Sequence, residues 1–428
     1  VLALVASTPT AFALLVGAAA SGRPLAPLGP LLTARELAAC VQGAGGRLLV
    51  TEPAFEETAR AVAALTGCRT EVIPEPAVAN GDPGLDPGPD DVACIIHTSG
   101  TTGAPKPVPY RQDRLARRVE IIAGLGGLGP GCRLAVAAPF HHVGGLGNVA
   151  VALAATAGTV ALPRFGVPAW REAGLVGTTH GLLVPTMLDR LLAAGALGFP
   201  TLRVLQYGGA PMPPAMLART LEALPGVDLV QMYGQTEGSP ITCLDAAAHR
   251  RAAVSTPSLL GTVGRAIPGV ELRIEGPDSF GIGQVCARAP HLCRPDADGW
   301  LRTGDLGRLD GEGFLHLAGR LGDRIVRGGE NVHPLEVEGI LERHPAVREV
   351  AVVGVPDDHW GEVVKAFVVV ADPARAPEPD ELRTWVRTEL AGFKVPTEWA
   401  FVSGLPRNAA GKVLRRELSE VRRDRIEK

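Results

Sequence analysis

The segment His97-Thr98-Ser99-Gly100-Thr101-Thr102-Gly103-Ala104-Pro105-Lys106 gathers hydroxyls, glycines and one lysine behind the apolar run Val92–Ile96. Such a composition suits a polyphosphate. Glycines let backbone N–H groups approach an anion, hydroxyls add hydrogen bonds, and Lys106 adds charge. The spacing is not that of a Walker loop, because no Gly-Lys-Ser/Thr follows four residues after the first glycine. A flexible Ser/Thr/Gly surface loop is the plainer alternative, but the strand before it and the Pro-Lys ending favour an ordered anion-binding loop.

Five other segments carry groups with chemical potential: Pro139-Phe140-His141-His142-Val143-Gly144-Gly145, Tyr233-Gly234-Gln235-Thr236-Glu237, Trp300-Leu301-Arg302-Thr303-Gly304-Asp305, Gly319-Arg320 through Gly328-Gly329-Glu330-Asn331, and Pro406-Arg407-Asn408 through Gly411-Lys412. Each has a bland reading when taken alone. Asp305 suits a turn-capping aspartate, Lys412 a solvated tail lysine, the His141-His142 pair a structural loop, and Trp360 a packing side chain at a strand end.

The elements that must position these groups follow from periodicity. From Val1 to Arg320, β-branched runs (Gly46–Thr51, Val92–His97, Arg133–Ala138, Gly158–Leu162, Arg203–Tyr207, Asp228–Tyr233) alternate with helical stretches such as Pro185–Ala194 and Pro214–Leu224. Largely parallel sheets in α/β layers are expected. Strands dominate from Gly261 to Leu317, which suggests an antiparallel section. Beyond it Pro334–His344 and Pro379–Leu390 read as helices, Val347–Val355 and Glu362–Val370 as strands, and Leu414–Lys428 as an amphipathic tail helix. The expected architecture is therefore a large α/β N-terminal domain with a β-rich section, residues 1–321, and a small α+β C-terminal domain, residues 322–428.

Composition narrows the function. With 428 residues, 46% hydrophobic and 20% charged, the chain can bury a large core, and its net charge of -3 carries no nucleic-acid signature. Seven scattered cysteines lack zinc-knuckle spacing and read as reduced thiols of a cytoplasmic protein. The uncharged residues 1–20 are broken by Ser7-Thr8-Pro9-Thr10, so a buried strand and a capped helix are expected rather than a membrane span. A first residue of Val suggests that the start of the domain is missing.

Taken in order, the segments resemble the motifs of the adenylate-forming superfamily: acyl-CoA synthetases, peptide-synthetase adenylation domains and beetle luciferases. The motif style is nearest to that of aryl- and fatty-acid:CoA ligases. The resemblance spans nearly the whole chain. It implies an enzyme that joins a carboxylic acid to ATP as an acyl-adenylate and passes the acyl group to a thiol, with ATP, Mg²⁺ and coenzyme A as cofactors. A negative carboxylate attacking a negative α-phosphate needs positive charge arranged in advance.

Residue by residue, the resemblance gives the phosphates to Thr98, Ser99, Gly100, Thr101, Thr102, Gly103 and Lys106, and Mg²⁺ to Glu237. Thr236 lies beside the α-phosphate, Asp305 takes the ribose hydroxyls with Arg320 assisting, and Gly209, Ala210, Tyr233 and Gly234 complete the nucleotide site. Lys412 reaches the α-phosphate and substrate carboxylate during adenylation, and His142 lies near that carboxylate. The acyl pocket is assigned to His142, Val143, Gly144, Gly145, Gly208, Gly209, Ala210, Gly234, Gly238 and Ser239, whose small size suggests room for a bulky aryl, polycyclic or medium-chain acid. Coenzyme A is assigned to Gly328, Gly329, Trp360 and Lys394, and the domain hinge to Gly322.

Departures accompany the matches. Pro107 stands where glycine is usual, Gly322 where the hinge usually has Asp or Lys, and the stretch from Cys286 to Trp300 is short. An acyl carrier protein is the alternative acceptor, and catalysis of the adenylation half-reaction alone is a further reading. An amino-acid substrate is disfavoured because Phe140-His141-His142 has no aspartate for an amine. A non-catalytic nucleotide sensor would have no need of Lys412, and nothing in the sequence supports luciferase-like oxidation.

Overall fold

A computed structural model describes residues 1–73, 86–98, 105–407 and 413–419. Within these residues the chain forms five sheets. The first is parallel, in the order Ala26–Pro27, Leu2–Leu4, Leu48–Thr51, Arg69–Val72. The second has seven strands. Gly158–Ala161, Arg133–Val136, His180–Leu183, Val204–Gly208 and Asp228–Gln235 lie parallel, and Gly238–Leu244 and Arg265–Ala266 close one edge antiparallel. Parallel strands buried on both faces need near-continuous apolar runs. Leu134, Ala135, Val136, Leu205 and Tyr207 meet that need, none of them exposed.

An antiparallel sheet follows, ordered Glu271–Glu275, Gly283–Arg288, Leu301–Leu309, Leu315–Arg320, as the turn-rich sequence there implied. Val92–Thr98 departs from expectation. It pairs antiparallel with Lys106–Arg111 in a two-stranded ribbon, and on its other side meets the first sheet only at the parallel bridge between Leu25 and Cys94. Pro107 is tolerated there because, among the described residues, Lys106–Arg111 is the outer strand of the ribbon, where proline is accommodated.

The small C-terminal domain is built on Val347–Asp357 and Gly361–Val370, with Ile325–Arg327, Glu330–Val332 and Glu398–Phe401 beside them. Val350 and Val352 pack with Val337 and Leu341 of the Pro334–Leu341 helix and with Leu382 and Val386 of the Pro379–Arg387 helix. The alternate residues Ala351, Val353 and Val355 pack with Leu418. Both faces of this hairpin are thus buried, and the tail supplies one cover. Arg415 ties the tail down through two hydrogen bonds, of 2.7 and 2.6 Å, to the buried Glu338 carboxylate.

Two helical expectations need correction. The tail helix is described only as Arg415–Ser419, and residues 420–428 lie outside the described residues. The Pro9–Ala20 helix follows the Leu2–Leu4 strand as expected, but Thr8 does not cap it with its side chain, because its hydroxyl donates to Glu52 Oε1 at 2.8 Å. All seven cysteines are free thiols. Among the described residues no helix is long and apolar enough to cross a membrane.

Candidate active site

Parallel register fixes where a ligand can sit. Val136 pairs with Leu182, Leu182 is level with Gln206, and Gln206 pairs with Val230. The carboxyl ends of these strands therefore form one edge. From it leave the 137–142 loop, the 209–213 loop and the Thr236-Glu237 turn. In open α/β sheets this edge is where ligands bind.

Asp305 is held at the junction with the antiparallel sheet. Cys286 pairs with Arg302 and Gln284 with Leu306, so Thr303-Gly304-Asp305 bulges from the ladder. Gly304 permits the bulge with a φ of 73°, a region open to glycine at little cost. The bulge is fixed from behind: Thr303 Oγ1 donates to the Val285 carbonyl at 2.8 Å and accepts from Asp305 N at 3.0 Å. The Asp305 carboxylate then accepts from Tyr233 Oη at 2.7 Å and pairs with Arg320 Nε at 2.7 Å. Burial, then the Asp305 charge, push the Tyr233 phenol upward, so it stays a donor. Three strands from two sheets thus converge on one carboxylate that is 9% exposed.

Next to it, Thr236 and Glu237 form the two-residue turn between Gln235 and Gly238. Tyr110 donates to the Thr236 carbonyl and anchors the turn to the ribbon. The Glu237 carbonyl accepts from Cys293 N at 2.7 Å. Its half-buried carboxylate makes no ion pair with a described residue, which fits an oxygen ligand for a divalent cation bound mainly through phosphates.

His142 caps the Val143–Ala154 helix with its backbone carbonyl, which accepts from Gly145 N and Leu146 N. The chain turns so tightly here that a Cβ on Gly145 would stand 2.1 Å from the Pro139 carbonyl oxygen. The His141 and His142 rings lie 4.2 Å apart. Burial, reinforced by its neighbour, pushes His141 down to about 3, and burial also lowers His142. The pair is therefore neutral. His142 Nε2 is buried without a hydrogen-bond partner, beside a helix N-terminus that favours negative charge.

Other expected groups are placed differently. Thr98 and Lys106 form the last pair of the ribbon, but Ser99, Gly100, Thr101, Thr102 and Gly103 lie outside the described residues, as does Lys412. Packing by itself requires several of the small residues assigned to the acyl pocket. A Cβ on Gly208 would meet the Met232 carbonyl at 2.3 Å, on Gly234 the Gly238 carbonyl and Ser239 at 2.7 Å, and on Gly238 Leu292 at 2.4 Å. Only Gly144, facing Ala138 at 3.7 Å, and Gly209, facing Val184 at 3.7 Å with a φ of 82°, leave ordinary space. Val143 and Ala210 are half-buried at the same strand edge.

In the small domain, Gly328 and Gly329 turn between Arg327 and Glu330 with φ of 58° and 88°. Two left-handed residues in a two-residue hairpin are the type I′ pattern. Trp360 lies against Gly328, where a Cβ would stand 2.6 Å from its ring, and stays 46% exposed. Arg327, Gly328, Trp360 and Phe393 line a surface groove. Lys394 is not free in this arrangement. It is buried, bonded to both Glu336 oxygens at 2.7 and 2.8 Å, with Phe280 below it. Gly322 sits in the Leu321–Asp323 turn with open space where a Cβ would go.

Sequence reasoning missed Tyr110 and the buried Arg118, which is 3% exposed. The signal for Arg118 was helical period. It shares the inward stripe of the Gln112–Gly126 helix with Ile122 and Gly126, where an arginine is out of place.

Residues 1–295 match the AMP-binding enzyme family and residues 336–412 its C-terminal domain. Among relatives, the fatty acid–[acyl-carrier-protein] ligase ScoC of Streptomyces coeruleorubidus is 36% identical, with 96% of this chain and 84% of ScoC covered. Feruloyl-CoA synthase of an Amycolatopsis species is 35% identical over 93% of this chain and 84% of its own length. The amide bond synthetase McbA of Marinactinospora thermotolerans superposes with a TM-score of 0.87 at 32% identity, covering 98% of this chain and 88% of McbA. The o-succinylbenzoate CoA synthetase MenE of Bacillus subtilis, in complex with its acyl-adenylate intermediate, gives 0.85 at 27% identity and the same coverage. Fold and site define an AMP-forming ligase. The chain belongs to the AMP-binding enzyme family, within the adenylate-forming superfamily.

Proposed function

We propose that this enzyme is an acid:CoA ligase that activates an aryl or medium-chain carboxylic acid in two steps. The observation that carries the nucleotide reading is Asp305, a nearly buried carboxylate held at a bulge by Tyr233 on one oxygen and Arg320 on the other, which leaves lone pairs on both. Those lone pairs would accept the two ribose hydroxyls. In the first step the substrate carboxylate attacks the α-phosphate and pyrophosphate leaves. His142, neutral and lacking a partner at Nε2, would donate to the carboxylate, and the helix N-terminus behind it would favour the negative charge. Thr236 would stand beside the α-phosphate, and Glu237 would hold Mg²⁺, which would supply charge neutralisation at the phosphates.

In the second step a thiolate attacks the acyl carbonyl and AMP leaves. The exposed face of Trp360 and the Gly328-Gly329 turn support a thiol-ligand site, and feruloyl-CoA synthase and MenE are named for coenzyme A. Division at 321/322 would let the small domain bring Lys412 in for the first step and the glycine turn in for the second. The name of ScoC favours a carrier-protein thiol as the second reading.

Pyrophosphate release from a panel of carboxylic acids, with coenzyme A and with a phosphopantetheinylated carrier protein, tests both. Release with thioester formation on coenzyme A is expected. Thioester formed on the carrier alone would transfer the assignment to that acceptor.

A further inference from the structure

Tyr110 places a phenol where phenylalanine would fill the core equally well. It stands on the Lys106–Arg111 strand opposite Cys94, 1% exposed, in a core shared with Ile96, Val108, Leu146 and Val149. A hydroxyl taken into such a core is costly unless it is bonded. Burial raises this phenol far above its ordinary range, so the oxygen keeps its proton, and it donates that proton to the Thr236 carbonyl.

That carbonyl belongs to the peptide group joining Thr236 to Glu237. The peptide group after Glu237 is held as well, because Cys293 N donates to the Glu237 carbonyl at 2.7 Å. A peptide group is planar, so a bond at its oxygen restrains the whole plane. With both flanking planes held, φ and ψ of Glu237 are set, and with them the direction in which its Cβ leaves the chain. Turn residues at a hairpin tip ordinarily lack such restraint. The segment that supplies Cys293 is itself pinned: His291 Nε2 donates to the Pro240 carbonyl at 2.8 Å, Arg114 donates to the Leu292 carbonyl, and a Cβ on Gly238 would stand 2.4 Å from Leu292. One jaw of the clamp on Glu237 is therefore well-braced backbone, and the other is the Tyr110 hydroxyl. The strand that carries Tyr110 begins at Lys106, which pairs with Thr98 at the end of the ribbon. One short strand thus ties the groups assigned to the phosphates to the turn that bears Glu237.

We propose that Tyr110 is a positioning residue for the divalent cation, which through the Thr236–Glu237 peptide group aims the Glu237 carboxylate at the metal carried by the triphosphate. The proposal rests on the reading of Glu237 as the Mg²⁺ ligand. Tyr110 contributes orientation and no charge, so its signature is a loss in what the metal adds to nucleotide binding, with nucleotide binding in the absence of metal preserved.

Calorimetric titration of the full chain with ATP, in EDTA and in excess Mg²⁺, tests it in the wild type, Tyr110→Phe, Glu237→Gln and the double variant. Phenylalanine keeps the ring in the same core, so Tyr110→Phe should fold and bind ATP in EDTA as the wild type does. The gain in affinity on adding Mg²⁺ should fall about fivefold in Tyr110→Phe, the scale of one hydrogen bond, and at least as far in Glu237→Gln. Because Tyr110 acts through Glu237, the double variant should lose no more than Glu237→Gln alone. A Tyr110→Phe chain that keeps the full Mg²⁺ gain, weakens equally with and without Mg²⁺, adds its loss to that of Glu237→Gln, or fails to fold would overturn the proposal. A Glu237→Gln chain that keeps the Mg²⁺ gain removes the metal role of Glu237 and the proposal with it. Loss of the gain in Glu237→Gln but not in Tyr110→Phe defeats the proposal alone and leaves that role standing.

Discussion

Asp305 shows how much one residue depends on its surroundings. In sequence it is one Gly-Asp pair among several, and a capping role would explain it equally well. In the structure its carboxylate collects a phenol from one sheet and a guanidinium from another. Asp305→Ala should weaken ATP binding by about 1–3 kcal/mol, the scale of lost hydrogen bonds at a buried polar site. Arg320 keeps 38% of its side chain in solvent and can be rehydrated, so the variant should still fold. Titration calorimetry that returned an unchanged ATP affinity would remove the ribose role. Lys394 teaches the opposite lesson, because its assignment to coenzyme A overlooked Glu336, which is distant in sequence but bonded to it here. No local pattern announces such a partner.

At the scale of elements the sequence was legible where period and punctuation agreed. The strands Arg133–Val136, Val204–Gly208 and Asp228–Gln235, and the helices Pro185–Ala193 and Pro214–Ala223, fall within a few residues of expectation. The ribbon strand Val92–Thr98 was found but misplaced, since a continuous apolar run does not say whether its neighbour is parallel. Small residues at the strand edge carry two signals, because glycines there mark close backbone approach as readily as pocket volume. Gly322 is the element whose role the structure sharpens. Its φ is not in the left-handed region and a Cβ there would touch nothing within 4 Å. Glycine is therefore not required by this arrangement of the chain. If its freedom serves rotation of the small domain, Gly322→Ala should leave Tm unchanged, and Gly322→Pro should impair either adenylate formation or thioester formation while sparing the other. Separate assays of the two half-reactions decide it, and equal loss in both would make the position merely structural.

The whole molecule answers to pH through groups scattered over both domains. His97, His141, His142, His180, His249, His291 and His333 are all lowered from 6.5, chiefly by burial. As pH falls through 6.5 the unfolded chain takes up protons that the folded chain refuses, so the stability these groups contribute is present above that pH and lost below it. Two carboxylates act with the opposite sign. Burial, then the Glu338 charge, push Glu342 up to about 8, and burial raises Glu338 despite Arg415. Their contribution is complete below 4.5 and is lost as pH rises, for Glu342 through about 8. Seven histidines outweigh two carboxylates in the window between, so Tm should fall as pH drops from 7 to 5, and a level Tm across that range would show that the histidines are hydrated and titrate normally. Glu342→Gln isolates the opposing effect. It removes one proton uptake by the folded state, so its Tm relative to wild type should climb steadily from pH 5 to 8. A constant offset between the two proteins would place the Glu342 carboxylate in water, and with it would go the reading of the Glu338–Arg415 contact as a buried clamp on the tail.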